Sequence, residues 1–246
     1  MTAITLSGVS KRFGDDAALS GINIEFPSQR LTAVIGRSGC GKSTLLRICN
    51  GLVRPDAGDI AFDGAVIDYD KLPELRRTIG YAVQGNGLFP HLTAAGNITL
   101  VATLAGWPEA DISERLEILR ELTHLEPELL ERYPHQLSGG QQQRVGLCRA
   151  MMLQPAILLL DEPFAAVDPI TRKDIHNSLL ELLQAEPTTT LLVTHDMREA
   201  LLLADRIVLM DAGVIQVDRD KAELQTQFPD ATPEVLLEAI SGAAHA

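Results

Sequence analysis

Residues 36–43 read Gly-Arg-Ser-Gly-Cys-Gly-Lys-Ser, directly after the apolar run Leu31–Ile35 and before Leu45, Ile48, Cys49 and Leu52 at helical spacing. A strand, a glycine-rich turn and a helix in that order restrict the chain to alternating α/β layers around a mostly parallel sheet. Glycine lets the backbone turn tightly enough for successive N–H groups to face phosphate oxygens, and the helix N-terminus adds its positive dipole end. The pattern therefore predicts a triphosphate cradle over Gly36, Arg37, Ser38, Gly39, Cys40, Gly41, Lys42, Ser43 and Thr44. Lys42 would neutralise the β- and γ-phosphates, and the Ser43 hydroxyl would ligate Mg²⁺.

Two later strings extend this chemistry. Asp161 and Glu162 follow the buried-looking run Ile157–Leu160. A carboxylate at the end of such a strand sits at the sheet edge, where a phosphate-bound Mg²⁺ lies. Asp161 is the expected Mg²⁺ holder through water, and Glu162 the expected activator of the attacking water. Leu137–Gln141 reads Leu-Ser-Gly-Gly-Gln. Ser138 suits a helix N-cap, and Gly139 and Gly140 leave N–H groups open at the positive end. That end is another anion site in a chain that already has one. The economical reading gives it the γ-phosphate held by a second copy.

The surrounding pattern divides the chain. Ile22, Ile24 and Phe26 alternate as a half-buried strand does. Ala61–Ile67 reads as a hairpin turning at Asp63-Gly64, a type I′ pair. From about 87 to 153 the texture is helical, with Leu116, Leu119 and Leu122 on one side of a helix and charges opposite. Strands resume at 156, and Asp211-Ala212-Gly213 joins two of them. The expected organisation is a single domain over 1–246, with a core at about 1–86 and 154–217, a helical subdomain at about 87–153, and an appendage at about 218–246. Thr232-Pro233-Glu234 starts a last helix, which has the body or a partner to pack against.

Composition excludes other classes. The formal charge of −12 argues against non-specific nucleic-acid binding. No apolar run approaches the roughly 18 residues a membrane-spanning helix needs, and the N-terminus lacks the order of a signal peptide. Cytoplasm is the expected compartment. Cys40, Cys49 and Cys148 lack metal-type spacing, are too few for a disulfide scaffold, and are expected to be buried or incidental thiols.

Together, Gly36–Ser43, Gln84, Leu137–Gln141, Ile157–Glu162, Asp168 and His195 resemble the nucleotide-binding subunit of ABC transporters, with the motifs in order over roughly 4–217. The resemblance implies an α/β fold: a P-loop NTPase (RecA-like) core with an N-terminal antiparallel β region and an inserted α-helical subdomain. It implies an ATP hydrolase using ATP and Mg²⁺. Phe13 resembles the aromatic that stacks on adenine, and Gln84 the glutamine that contacts Mg²⁺ and senses nucleotide. His195 resembles the switch histidine at the γ-phosphate, making Glu162, His195 and Lys42 the catalytic set. Asp168 matches the aspartate that communicates between two sites, although its loop reads Ala-Ala-Val-Asp where Ser- or Gly-Ala-Leu-Asp is more usual. Metal contacts fall to Ser43, Gln84 and Asp161.

A finer resemblance lies in Gly87–His91, Glu131–Val145 and Asp161–Arg172, which look like the branch importing quaternary amines such as glycine betaine, choline and carnitine. Importers of polar amino acids or other small solutes share parts of these strings, and a soluble non-transport ABC ATPase is the rival class. The implied partners are a second copy arranged head to tail, integral membrane permease subunits that hold the chain at the inner face of the membrane, and, indirectly, an extracytoplasmic solute-binding protein. Leu88, Phe89 and Pro90 are the expected permease contact.

Overall fold

A computed structural model describes residues 3–85, 87–165, 167–229 and 231–243, with residues 241–243 by backbone alone. The first stretch contains β1 (Ile4–Phe13), β2 (Asp16–Phe26), β3 (Leu31–Ile35), α1 (Lys42–Cys49), β4 (Ala57–Phe62), β5 (Ala65–Val66) and α2 (Leu72–Arg77). Next along the chain come β6 (Ile79–Ala82), α3 (Ala94–Leu104), α4 (Glu109–Leu122), α5 (Gly139–Met151), β7 (Ile157–Asp161) and α6 (Pro169–Ala185). Then follow β8 (Thr189–Thr194), α7 (Met197–Leu203), β9 (Arg206–Asp211), β10 (Val214–Asp220), α8 (Lys221–Gln227) and α9 (Pro233–Ala243). Two compact units result: 1–76 with 189–246, and 77–188.

The first unit holds an antiparallel sheet, β2-β1-β4-β5, and the strands β10-β9-β3-β8. Here β3 runs parallel to both β8 and β9, while β10 returns antiparallel on β9. Every residue of β3 and β8 is buried, because a parallel strand covered on both faces has no solvent side and reads as a continuous apolar run. In β2 the expected alternation holds: Ile22, Ile24 and Phe26 are buried while Asn23 and Glu25 are exposed. The β4–β5 turn places Asp63 and Gly64 at φ 48° and 79°, the doubly positive geometry that a type I′ turn requires.

Of the residues at helical spacing, Leu45, Ile48 and Cys49 are buried on α1, which ends at Cys49, while Leu52 beyond it is 53% exposed. Gly51 takes φ 69°, and that left-handed residue turns the chain out of the helix before Leu52 can reach the core. The last helix packs on the body: α9 lies against α7, with Leu236 and Ile240 buried and Arg198 Nε donating to Glu234 Oε1 at 3.1 Å.

In the second unit β6 and β7 pair in parallel, and α3, α4 and α6 pack with α5. Leu119 of α4 is buried and Leu116 and Leu122 are half-buried, as the periodicity requires. Arg115 departs from the pattern. It is 4% exposed, where the helix should turn a charge to solvent. Its guanidinium forks onto the Glu186 carboxylate and donates to the Met151 carbonyl at 2.7 Å, so the charge is paired and hydrogen-bonded on entering the interior.

All three cysteines are buried. Burial pushes the Cys49 thiol up to about 12 and the Cys148 thiol up to about 11. The thiolate is the reactive form, so neither group should react with a disulfide reagent at pH 8 while the chain is folded. Absorbance of the released chromophore checks this: all three thiols titrate in denaturant, and rapid native reaction of Cys49 or Cys148 would contradict the packing.

Candidate functional site

In the first unit the phosphate loop leaves the end of β3 and enters α1. Arg37, Ser38 and Gly39 stand at the surface, Gly36, Gly41, Ser43 and Thr44 are half-buried, and Cys40 is buried. Gly41 has φ 104°, and a Cβ there would lie 2.3 Å from the Ala18 carbonyl oxygen. Only glycine fits both that conformation and that approach. Helix α1 starts without a side-chain cap and without an acidic residue in its first turn, so its own first turn does not offset its positive end. Lys42 is 4% exposed, and its Nζ donates to the Gly36 and Arg37 carbonyls, each at 2.8 Å. The cation is thus bent over the loop, its hydrogens shared by backbone oxygens that a phosphate group would replace.

His195 follows the last residue of β8 and is exposed. Asp196 next to it caps α7, accepting from the Arg198 N–H at 2.8 Å. Phe13 ends β1 with its ring 52% exposed and Lys11 Nζ 5.5 Å from the ring centroid. An aromatic face left open to solvent beside a cation is available for stacking.

The second unit carries the other predicted residues. Asp161 closes β7 and is 3% exposed, with the Tyr81 hydroxyl donating to its Oδ2 at 3.5 Å. Glu162 is half-buried at φ 45°, a left-handed conformation that costs a residue with a Cβ about 1 kcal/mol or more and gathers at functional sites. Gln84 is exposed and its Nε2 donates to Glu162 Oε2 at 3.5 Å. The structure therefore brings Gln84, Glu162, Asp161 and Tyr81 together within this unit.

Ser138 caps α5 as expected, and with Gln141 it forms a reciprocal capping box. The Gln141 N–H donates to Ser138 Oγ at 3.3 Å and the Ser138 N–H to Gln141 Oε1 at 2.9 Å. Gly139 remains exposed, whereas Gly140 is buried, and a Cβ there would come 2.2 Å from Thr171 Cγ2. The glycine pair thus divides its work: one keeps the helix end bare and the other lets α6 approach. Asp168 caps α6, its Oδ1 accepting from the N–H groups of Ile170 and Thr171 at 3.1 and 3.0 Å. Hydrogen bonds from Thr171, side chain first and then backbone, hold its carboxyl below the usual carboxylate range.

Two neighbours of these residues escaped the sequence reading. Tyr81 carried no motif signal, since its strand reads as ordinary apolar sequence. Arg149 donates to the Gly87 carbonyl at 2.8 Å and lies 5.9 Å from the Phe89 ring centroid, and burial lowers its pKa. Its place near the end of a helix suggests only a C-terminal cation. Leu88 is half-buried, and Phe89 and Pro90 are exposed.

The residues fit a nucleotide with Mg²⁺. The glycine cradle, the uncapped helix end and the inward-bent lysine suit a polyphosphate. Ser43, Gln84 and Asp161 are all oxygen donors, the kind Mg²⁺ takes. Among the described residues no group of three or more His, Cys, Asp and Glu could hold a metal by itself.

A family model described as ABC transporter matches residues 19–165. The choline transport ATP-binding protein OpuBA of Bacillus subtilis is 46% identical over 217 residues, covering 87% of this chain and 57% of that protein. The sulfate/thiosulfate import ATP-binding protein CysA of Synechocystis sp. is also 46% identical, over 214 residues, covering 87% of this chain and 59% of that protein. The chain thus spans less than two thirds of the length of either. Among solved structures, the dimeric structure of MJ0796, a bacterial ABC transporter cassette, superposes with a TM-score of 0.80 at 31% identity, over 89% of this chain and 98% of that one.

Proposed function

The chain belongs to the ABC transporter family, and from that premise we propose that it binds and hydrolyses ATP as a head-to-tail pair of copies that powers import of a small solute. One observation carries the reading. A single chain presents two helix ends suited to phosphate, α1 without any side-chain cap and α5 capped by its own Ser138–Gln141 box with Gly139 at the surface. One nucleotide needs a single cradle, so the second end is accounted for by a nucleotide on another copy. The cassette of MJ0796, 31% identical, is a dimer in its structure.

In this reading Phe13 stacks on adenine, and Gly36–Thr44 cradle the phosphates with Lys42 on the β- and γ-oxygens. Ser43, Gln84 and Asp161 are the residues that would hold Mg²⁺, which when bound would neutralise charge on the phosphate oxygens. The Glu162 carboxylate orients the attacking water and accepts its proton. His195 donates a hydrogen bond to the γ-phosphate as its charge shifts in the transition state. The Ser138–Gln141 end of the second copy faces the same phosphate, and Asp168 relays between the two sites. Tyr81 orients Asp161 through its hydroxyl.

Membrane permease subunits dock at Leu88, Phe89 and Pro90, where an aromatic ring and a proline are already in solvent. No helix among the described residues is long and apolar enough to cross a membrane, so the pathway for the solute belongs to those partners, and the chain sits against them at the inner membrane face. The solute we assign is a quaternary-amine osmoprotectant, on the strings around Gly87–His91, Glu131–Val145 and Asp161–Arg172 and on the similarity to the choline transport protein. The sulfate/thiosulfate protein is equally similar, so uptake assays with choline, glycine betaine and sulfate, in cells with and without this chain, decide the cargo. Loss of sulfate uptake alone would overturn the amine assignment.

A mixing experiment tests the composite site. Lys42→Ala disables the cradle and Ser138→Arg obstructs the signature end, so each variant alone should release no inorganic phosphate. Mixed dimers contain one site built from two intact halves, and combining the two variants should restore phosphate release. Failure to restore it, with both variants folded and dimerising, would remove the head-to-tail arrangement.

A further inference from the structure

The first unit contains a cavity of about 430 Å³ that none of the assigned roles uses. It lies where three parallel strands end: β3 leads into Gly36, β8 into His195, and β9 closes at Asp211. The carboxyl ends of parallel strands are where α/β folds take ligands, and the volume falls within the range of small-molecule sites. One wall belongs to the phosphate loop and the switch histidine, through Gly36, Arg37 and His195. Another belongs to α9, through Leu237 and Glu238.

The lining selects a chemistry. Ile35, Met197, Leu209, Met210 and Leu237 make the wall largely apolar, and two are methionines, whose unbranched side chains adapt to varied shapes. The fixed charges are two carboxylates, Asp211 and Glu238, against the single guanidinium of Arg37. These fixed charges leave an excess of one negative charge, which favours a cationic guest and disfavours an anionic one. Nucleotide phosphates therefore do not suit it, although it shares residues with their cradle.

We propose that this cavity is a second ligand site, for a small organic cation with an apolar body, roofed by α9. Because Gly36, Arg37 and His195 form part of its wall, an occupant holds the switch loop against α9 and slows ATP turnover. That coupling rests on the reading above, whereas the binding itself does not. α7 starts two residues after His195 and α9 packs on α7, so the roof and the histidine move as neighbours.

Methionine-methyl NMR on the full chain without nucleotide tests binding. Met197 and Met210 line the cavity, while Met151 and Met152 lie in the other unit and serve as internal references. The probes share one body and differ in charge: 4-phenylbutylammonium, 4-phenylbutanol and 4-phenylbutyrate. The cation should shift the Met197 and Met210 signals saturably and bind more tightly than the alcohol, with the anion weakest. Glu238→Gln, an exposed change that keeps the fold, should weaken the cation by up to about fivefold, the limit for a solvent-screened ion pair. Leu237→Trp should fill the cavity and abolish binding. Equal affinity for the anion, an unchanged response in Leu237→Trp, or no shift at Met197 and Met210 would overturn the site. Binding that leaves ATP turnover unaltered would overturn the coupling, while turnover itself is measured on the chain without probe, so failure of the ATPase reading shows separately.

Discussion

Glu162→Gln is expected to bind ATP with nearly unchanged affinity and to hydrolyse it about 10²–10⁴-fold more slowly, the range removed with a general base. The substitution keeps the shape of the side chain and its place beside Gln84 Nε2, 3.5 Å from the carboxylate. It removes only the ability to take a proton from water. The ATP-bound pair then has no route to products, so the variant should accumulate as a dimer, visible by size-exclusion chromatography with ATP and lost with ADP. The backbone of residue 162 is already held at φ 45° by its surroundings, and glutamine tolerates that conformation no worse than glutamate. A measured fall in turnover therefore reports chemistry more than folding. Turnover within a few-fold of the parent chain would transfer the base to another residue.

Lys42→Ala is expected to cost about 10- to 100-fold or more in ATP affinity, since charge-assisted hydrogen bonds are worth about 1.5–3 kcal/mol each. Without ligand the ammonium is satisfied by two loop carbonyls at 2.8 Å and is almost fully buried. Its loss leaves those oxygens facing inward in the place where the phosphates would lie. Lys42→Arg should not rescue binding, because a planar fork cannot occupy the space of a compact ammonium beneath Gly36 and Arg37. Isothermal titration with a non-hydrolysable ATP analogue checks both variants. Parent-like affinity in Lys42→Ala would mean that the cradle binds through backbone alone.

These two expectations draw unequally on sequence and structure. The lysine was legible from spacing, because Gly36, Gly41 and Lys42 act within one loop and local geometry decides what they can do. The capping box at Ser138 and Gln141 was half legible for the same reason: the serine cap follows from its position before a helix, although the return bond from Gln141 needed coordinates. The hairpin at Asp63-Gly64 and the short, fully buried strands β3 and β8, built of aliphatic residues and threonine, also follow from neighbours in the chain and from burial on both faces.

The left-handed Glu162 had no sequence signal, since glutamate gives no hint of positive φ. Tyr81 reached Asp161 only because β6 and β7 pair in parallel with Tyr81 opposite Leu159, a register that no local pattern encodes. Arg115 looked like a surface charge until Glu186, far along the chain, was found beneath it.

The sequence by itself determined the polyphosphate chemistry of this protein, because glycine, lysine and hydroxyl at set intervals admit few other uses. It also placed a serine-capped helix start at Ser138. Only the tertiary structure decided which side chains share a space: the carboxylates and tyrosine around β7, the docking of α9 on α7, and the cavity at the ends of β3, β8 and β9. Those arrangements depend on strand register and helix packing between residues distant in the chain, where the free energy resides in contacts that no short window of sequence contains.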